Sequence, residues 1–426
     1  MKHPILFLLV IGLVQLSCSP DINVTIPQDD SGLFLAETHP LTPIMRAALE
    51  GVYRVAEGQG MFGDLVVLKW SGVASEGSHA DTTQYLSGFF GRDCIYFNLQ
   101  GGTLDSVFFF SGTWRKGVNT ETGLMRFLIN KASGGEQLFQ SSPVIGRDSI
   151  TLTGNWGNGS ETPGQRIVLK YERPLYRGRP FDIFGHRGGG RTSDHLPASE
   201  NSVAIVLLAE RLGATAIEID IHMTKDQVPV LYHDKEINLR LTQPSGLVGP
   251  IEDYTYAQLQ TFIRLIHGER IPTLREVLDA ALYRTHIRTV WLDMKPSASY
   301  SAVLEIQQYY IAEAARIGRD FKPLIGIPST DKLDEFITLP NYQQIPSICE
   351  LDVDKVHQLN SSYWGPRFTL GTQNALVAQM HAEGRHVAAW TLDEPGFVQD
   401  FLTNGDFDGF VTNYSSMVAY YIYVRQ

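Results

Sequence analysis

Cysteine is scarce in this 426-residue chain: three, at positions 18, 94 and 349. So few, so widely spread, exclude a disulfide framework, and Cys94 and Cys349 read as buried free thiols. Clusters of basic residues are lacking too. Lys and Arg number 35 against 46 Asp and Glu, a formal net charge of −11. Binding nucleic acid requires clustered cationic side chains, so no nucleic-acid partner is expected. The apolar run at 4–16 is too short to span a bilayer. A dinucleotide loop is also missing, because Gly188, Gly189 and Gly190 are consecutive and lack the GxGxxG spacing.

The N-terminus has features of a targeting segment. Lys2 and His3 precede the apolar run, and Ser17-Cys18-Ser19 follows it. The run has the length of a signal-peptide core. The small residue before Cys18 resembles a bacterial lipoprotein processing site, where cleavage leaves the cysteine as a lipid-bearing N-terminus. Gln15-Leu16 departs from the usual pair at that site. A plainly cleaved secretory signal and an uncleaved anchor are the alternatives. The expectation is an exported protein of the bacterial cell envelope, lipid-anchored at Cys18 in the outer membrane or held in the periplasm. Residues 1–18 are then the signal, and the polar stretch 19–45 is a flexible tether.

What is present in abundance is strand pattern. With 43% hydrophobic and 19% charged residues, the chain can fill two cores. Residues 46–172 hold β-rich runs at 65–70, 94–99, 107–114 and 124–129. Ile150 and Leu152 alternate with threonines, and Ile167, Leu169 and Tyr171 with Val168 and Lys170. Period-two alternation broken by glycine turns predicts a smaller all-β antiparallel barrel or sandwich domain. Its aromatic side chains either fill a core or present a surface to an unidentified ligand; the usual burial of such rings favours the core. Residues 173–181, with two prolines and a glycine, read as a linker.

From 182 to 426 the pattern changes. Strand-like runs at 182–185, 215–221, 228–232, 289–294, 323–327, 346–351, 386–391 and 408–412 alternate with helix-like stretches at 200–212, 274–283, 302–317, 331–338, 372–383 and 396–402. Such alternation over 245 residues predicts a (β/α)8 TIM barrel of class α/β, with 235–270 as an insertion near its third strand.

Polar residues sit at the ends of its first strands. In AIEIDIHMT, alternation puts three isoleucines on one face and Glu218, Asp220 and His222 on the other. Two like charges so close need a counter-charge. A hard divalent cation, Mg²⁺ or Ca²⁺, suits an all-oxygen set; pairing with Arg or Lys as a structural ion pair is the other reading. Asp293 and Lys295 share a face of the run at 289–294 with Trp291, so Asp293 can be a third ligand and Lys295 can meet an anionic oxygen. His186 and His233, flanking these carboxylates, suit general acid–base work. Arg187 can bind phosphate or brace a carboxylate. The three glycines after it permit close approach to a ligand or simply form a turn.

Together, HRG at 186–188, EN at 200–201, E-x-D at 218–220, T-x-D at 224–226, HD at 233–234, IPTLREVL at 271–278, D-x-K at 293–295, WT at 390–391 and DGFVTNY at 408–414 resemble the glycerophosphodiester phosphodiesterase family. The resemblance implies a metal-dependent hydrolase that cleaves a small-molecule glycerophosphodiester to glycerol 3-phosphate and an alcohol. It implies Glu218, Asp220 and Asp293 as metal ligands and His186 and His233 as acid and base. It further implies phosphate contacts from Arg187 and Lys295, and Trp390 lining the pocket. Two departures stand out: Asp293 replaces the usual glutamate, and two extra residues separate Pro197 from Glu200. His222 is expected to support the ligands rather than join them. An inactive barrel serving as a lipoprotein binding module, and a phosphodiesterase acting on phospholipid or sphingolipid headgroups, are the competing readings.

Overall fold

Eight strands wind up and down into a closed antiparallel barrel: Gly51–Glu57 (β1), Leu65–Ser75 (β2), Ser78–Phe90 (β3), Ile95–Leu104 (β4), Val107–Lys116 (β5), Thr122–Ile129 (β6), Thr151–Trp156 (β7) and Gln165–Arg173 (β8). Each pairs with the next, and β8 returns to β1. Closure leaves no free edge and decides between barrel and sandwich. The computed structural model in which this is seen describes residues 24, 26–28 and 31–426. The signal segment, Cys18 and the first part of the expected tether lie outside the described residues. Residues 31–45 of that stretch are folded rather than flexible. His39 and Pro40 pair with Thr103 and Gly102, and Leu41 and Met45 are buried.

Aromatic side chains fill this first barrel. Phe62 lies 5.0 Å from Phe90 and 5.2 Å from Trp156, and Trp156 lies 5.4 Å from Trp114, ring centre to ring centre. Eight strands leave an interior that side chains can occupy completely, so these aromatics are core, as their burial tendency suggests.

The second barrel is parallel. Its strands are Asp182–Gly185 (β9), Ala216–Met223 (β10), Thr289–Met294 (β11), Lys322–Ile327 (β12), Ser347–Cys349 (β13), Tyr363–Trp364 (β14), His386–Ala389 (β15) and Gly409–Thr412 (β16), with β16 closing on β9. One residue from each strand (Phe184, Ala216, Trp291, Leu324, Ile348, Tyr363, Ala388, Val411) forms a buried apolar plug. The polar strand ends lie around this plug.

The strand count is right but one member differs. Residues 228–232 were expected to be the third barrel strand. Pro229–Leu231 instead pairs antiparallel with β10, Ile221 opposite Leu231. The reason is length: five residues, 224–228, separate the two, closed by the Val228 amide donating to Thr224 Oγ1, whereas a parallel crossover needs about a dozen or more. The missing strand is the two-residue β14. Asp293 therefore lies on the third barrel strand, not the fourth, and His233 follows a hairpin. The insertion at 235–270 has its own apolar cluster, including Ile237, Ile251, Leu259 and Leu265.

The two barrels are docked. Val52, Val67, Phe89 and Tyr96 on the outside of the first barrel join the apolar cluster around the second. Arg284 donates to the Ala74 carbonyl at 3.0 Å. The 173–181 stretch is itself tied down, the Tyr176 amide donating to the Tyr423 carbonyl. Cys94 and Cys349 are buried free thiols.

Candidate active site

Register brings the carboxylates together. Asp220 on β10 stands directly opposite Asp293 on β11, and Glu218 opposite Trp291. Glu218, Asp220 and Asp293 each offer an oxygen within 4.8 Å of the others. Lys295 Nζ lies 2.6 Å from both Asp220 and Asp293. Burial, then the neighbouring Asp220 and Asp293, raise the Glu218 carboxyl well above its ordinary range. Burial likewise raises Asp293. Burial also pushes on Asp220, but Lys295 outweighs it and holds that group low. One ammonium serves three carboxyl groups, Glu218 and Asp220 buried and Asp293 half-buried. The all-oxygen donor set and its spacing fit a hard divalent cation.

His186 follows β9. Its Nδ1 lies 2.8 Å from Asn413 Oδ1, and Asn413 Nδ2 donates to Asp393 at 2.5 Å. Because an ionised Asp393 only accepts, the Asn413 amide must turn its oxygen to the histidine. His186 Nδ1 then carries the proton, and Nε2, 3.7 Å from Glu218, has a free lone pair. Burial and the neighbouring Arg187 push the His186 pKa down to about 4, so the ring is neutral near pH 7.

His233 has the opposite kind of partner. Its Nδ1 lies 2.7 Å from Asp234 Oδ1, and Arg240 and Asn238 also donate to that carboxylate. Burial pushes Asp234 up, but these hydrogen bonds outweigh it and hold it below the usual range. The Asp234 carboxylate at Nδ1 fixes the orientation of the ring.

Arg187, at φ 55, donates its backbone N–H to Glu218 at 2.8 Å and its guanidinium to Glu200 at 2.7 Å. Its Nε is buried without a partner. The glycines after it form a turn rather than a ligand cradle. A Cβ on Gly188, at φ 88, would meet Ile205 at 3.0 Å, and one on Gly190 would meet Leu196 at 2.4 Å.

All eight site residues named from the sequence within 182–426 — His186, Arg187, Glu218, Asp220, His233, Asp293, Lys295 and Trp390 — line one cavity of about 400 Å³. His222 is buried and meets Ser297 at 2.8 Å instead of joining the cluster. Sequence reasoning assigned no role to Asn413, Asp393, Asn201, Arg367 or Glu350. Asn201 brackets Asp220, donating to its carboxylate at 2.6 Å and accepting from its backbone N–H at 3.0 Å. Arg367 lies over the Trp390 ring at 4.8 Å. Glu350 follows β13 and lines the cavity, its carboxyl raised by burial and then by Asp293. Position at the C-terminal end of a barrel strand was the available signal for both Asn413 and Glu350.

A model of the glycerophosphoryl diester phosphodiesterase family matches residues 186–417, more than half of the chain. Glycerophosphodiester phosphodiesterase 1 of Rattus norvegicus is 35% identical over 145 residues, 32% of this chain and 40% of that protein. A glycerophosphocholine phosphodiesterase of Rattus norvegicus is 34% identical over 118 residues, 26% of this chain and 17% of that protein. The match thus spans less than half the length of either relative. A solved glycerophosphodiester phosphodiesterase from Thermotoga maritima superposes with a TM-score of 0.43 at 20% identity, covering 57% of this chain and 98% of that one. By its family match, the chain belongs to the glycerophosphoryl diester phosphodiesterase family.

Proposed function

We propose that the second barrel hydrolyses small glycerophosphodiesters to glycerol 3-phosphate and an alcohol, with Glu218, Asp220 and Asp293 holding Mg²⁺ or Ca²⁺. One observation carries the reading: two histidines with opposite Nδ1 partners share a cavity with the carboxylate cluster, in a chain of this family. When bound, the divalent cation supplies Lewis-acid polarisation of the phosphate.

The chain's own residues do the rest. His186 Nε2, neutral and unprotonated, accepts the proton of the attacking hydroxyl, whether of water or of the substrate's glycerol. His233, oriented by Asp234 at Nδ1, gives a proton to the departing alkoxide. Lys295 spends two of its three donors on Asp220 and Asp293, leaving one for a phosphate oxygen. Arg187, which lines the cavity, offsets charge on another.

The direct test is release of glycerol 3-phosphate from glycerophosphocholine and a panel of related diesters, with and without chelator. Release that stops in chelator and returns with Mg²⁺ or Ca²⁺ is expected. No release from any diester with any divalent metal supplied would leave the barrel a binding module, and preference for micellar over soluble diesters would point to lipid headgroups.

The tautomer argument has its own test. Asn413→Ala removes the acceptor that keeps the His186 proton on Nδ1. A loss of about tenfold or more in kcat is expected, with divalent-ion affinity unchanged. Unchanged kcat would detach Asn413 from the role of His186.

A further inference from the structure

We propose that Arg115, a residue of the antiparallel barrel, is a positioning residue for the site in the parallel barrel, acting through the 191–196 loop on Glu200 and Arg187. The proposal rests on the function proposed above.

On β5, Trp114 points into the first barrel and Arg115, by alternation, points out of it, toward the second. Arg115 is only 2% exposed. No carboxylate lies within ion-pair distance of it among the described residues. Its guanidinium donates instead to the main-chain carbonyls of Asp194, at 2.6 Å, and His195. Burying a guanidinium against neutral acceptors is costly; besides the Tyr96 side chain opposite it on β4, its contacts go to one short segment of the other barrel. His195 lies in the left-handed region at φ 52.

That segment leads straight to the site. The Thr192 amide donates to Glu200 Oε2 at 2.7 Å, and Glu200 Oε1 accepts from Arg187 at 2.7 Å. Asp194 is braced by Arg191 at 2.9 Å and by the Tyr414 hydroxyl at 3.2 Å. The loop's far end is tied to the insertion, Ser199 Oγ donating to Glu269 at 2.7 Å. Glu269 therefore fixes one end and Arg115 fixes the middle. Without Arg115, the Thr192 amide that aligns Glu200 loses its support, and the arm of Arg187 is no longer held in place.

The experiment uses the full chain. Arg115→Met removes all five donors at similar length. KM for the diester is expected to rise about tenfold, with a smaller change in kcat and an unchanged pH profile. Hydrogen exchange at the 191–196 amides should accelerate while the amides of β9 and β10 stay protected. Arg115→Lys, which restores a charge and some donors, should recover part of KM. In an Arg187→Ala background, Arg115→Met should add nothing, because the route is already cut.

Wild-type KM together with wild-type protection of 191–196 would overturn the proposal. So would a KM effect that multiplies with Arg187→Ala, which is the mark of a general structural role. Arg115→Gln supplies the same readouts if the methionine variant does not fold; failure of both makes Arg115 a folding residue and ends the proposal. If the wild-type chain cleaves no diester, the hydrolase reading falls, while loop protection still decides whether Arg115 holds the loop.

Discussion

His186→Ala and His233→Ala should each lower kcat by ~100-fold or more, the usual contribution of a positioned general acid or base. The two losses should differ in character. His186 is neutral near pH 7, its proton fixed on Nδ1 by Asn413 and its pKa pushed down to about 4 by burial and Arg187. Its removal takes away a base that is available across the whole neutral range. It should therefore depress the rate evenly from pH 5 to 8 and remove any acid limb set by that group. His233 is oriented by the Asp234 carboxylate at Nδ1 and is the proposed proton donor to the leaving group. Its loss should fall hardest on diesters with poor leaving groups, because a good leaving group departs without a proton. A diester of a nitrophenol should therefore rescue His233→Ala far more than His186→Ala. Equal rescue of both would reverse or cancel the assignment, and near-normal kcat in either variant would remove that histidine from the scheme.

Much of this site could be read along the chain, because strands put alternate residues on one face and a parallel barrel gathers strand ends at one rim. Glu218 and Asp220 on β10, with Asp293 and Lys295 on or just after β11, follow from that rule alone, and the cavity contains them all. What stayed hidden depends on pairing between distant segments. The Asn413–Asp393 link that orients His186 joins two loops, and nothing local marks it. Tyr363–Trp364 is too short to show alternation, so its place went to the apolar run at 228–232, whose strand Pro229–Leu231 a five-residue turn folds back against β10. Glu350 stood at the end of the three-residue strand β13, the least distinct strand in the pattern. Arg115 reads as one more residue of a β-strand until the second barrel is docked against it.

Removing the divalent cation should abolish activity and also change how stability responds to pH. In chelator, Glu218 and Asp293 have folded-state pKa values raised above their unfolded values, burial being the first cause in each. For a carboxyl raised on folding, the folded state binds more protons than the unfolded state between the two pKa values. Stability then falls as pH rises from about 4–5, the unfolded range, through the folded-state values. Asp220 is shifted the other way, so its contribution is intact across this window and is lost only at lower pH. The chelated protein should therefore lose Tm from pH 5 to 8. Mg²⁺ or Ca²⁺ at a hundred times Kd should restore about 2.7 kcal/mol, on the order of 5 °C or more for a domain of this size. Glu218→Gln sharpens the test because it removes one of the like charges without changing the shape of the side chain. In chelator at pH 8 the variant should be more stable than the wild type by about 1–2 kcal/mol, with a flatter pH dependence, a smaller gain from added metal and almost no activity. The same substitution thus stabilises the empty cluster and disables the enzyme, as expected if the buried repulsion is kept for binding a cation. A Glu218→Gln protein as active as the wild type, or a wild type indifferent to chelation in both rate and Tm, would show that Lys295 alone balances the cluster as a structural ion pair.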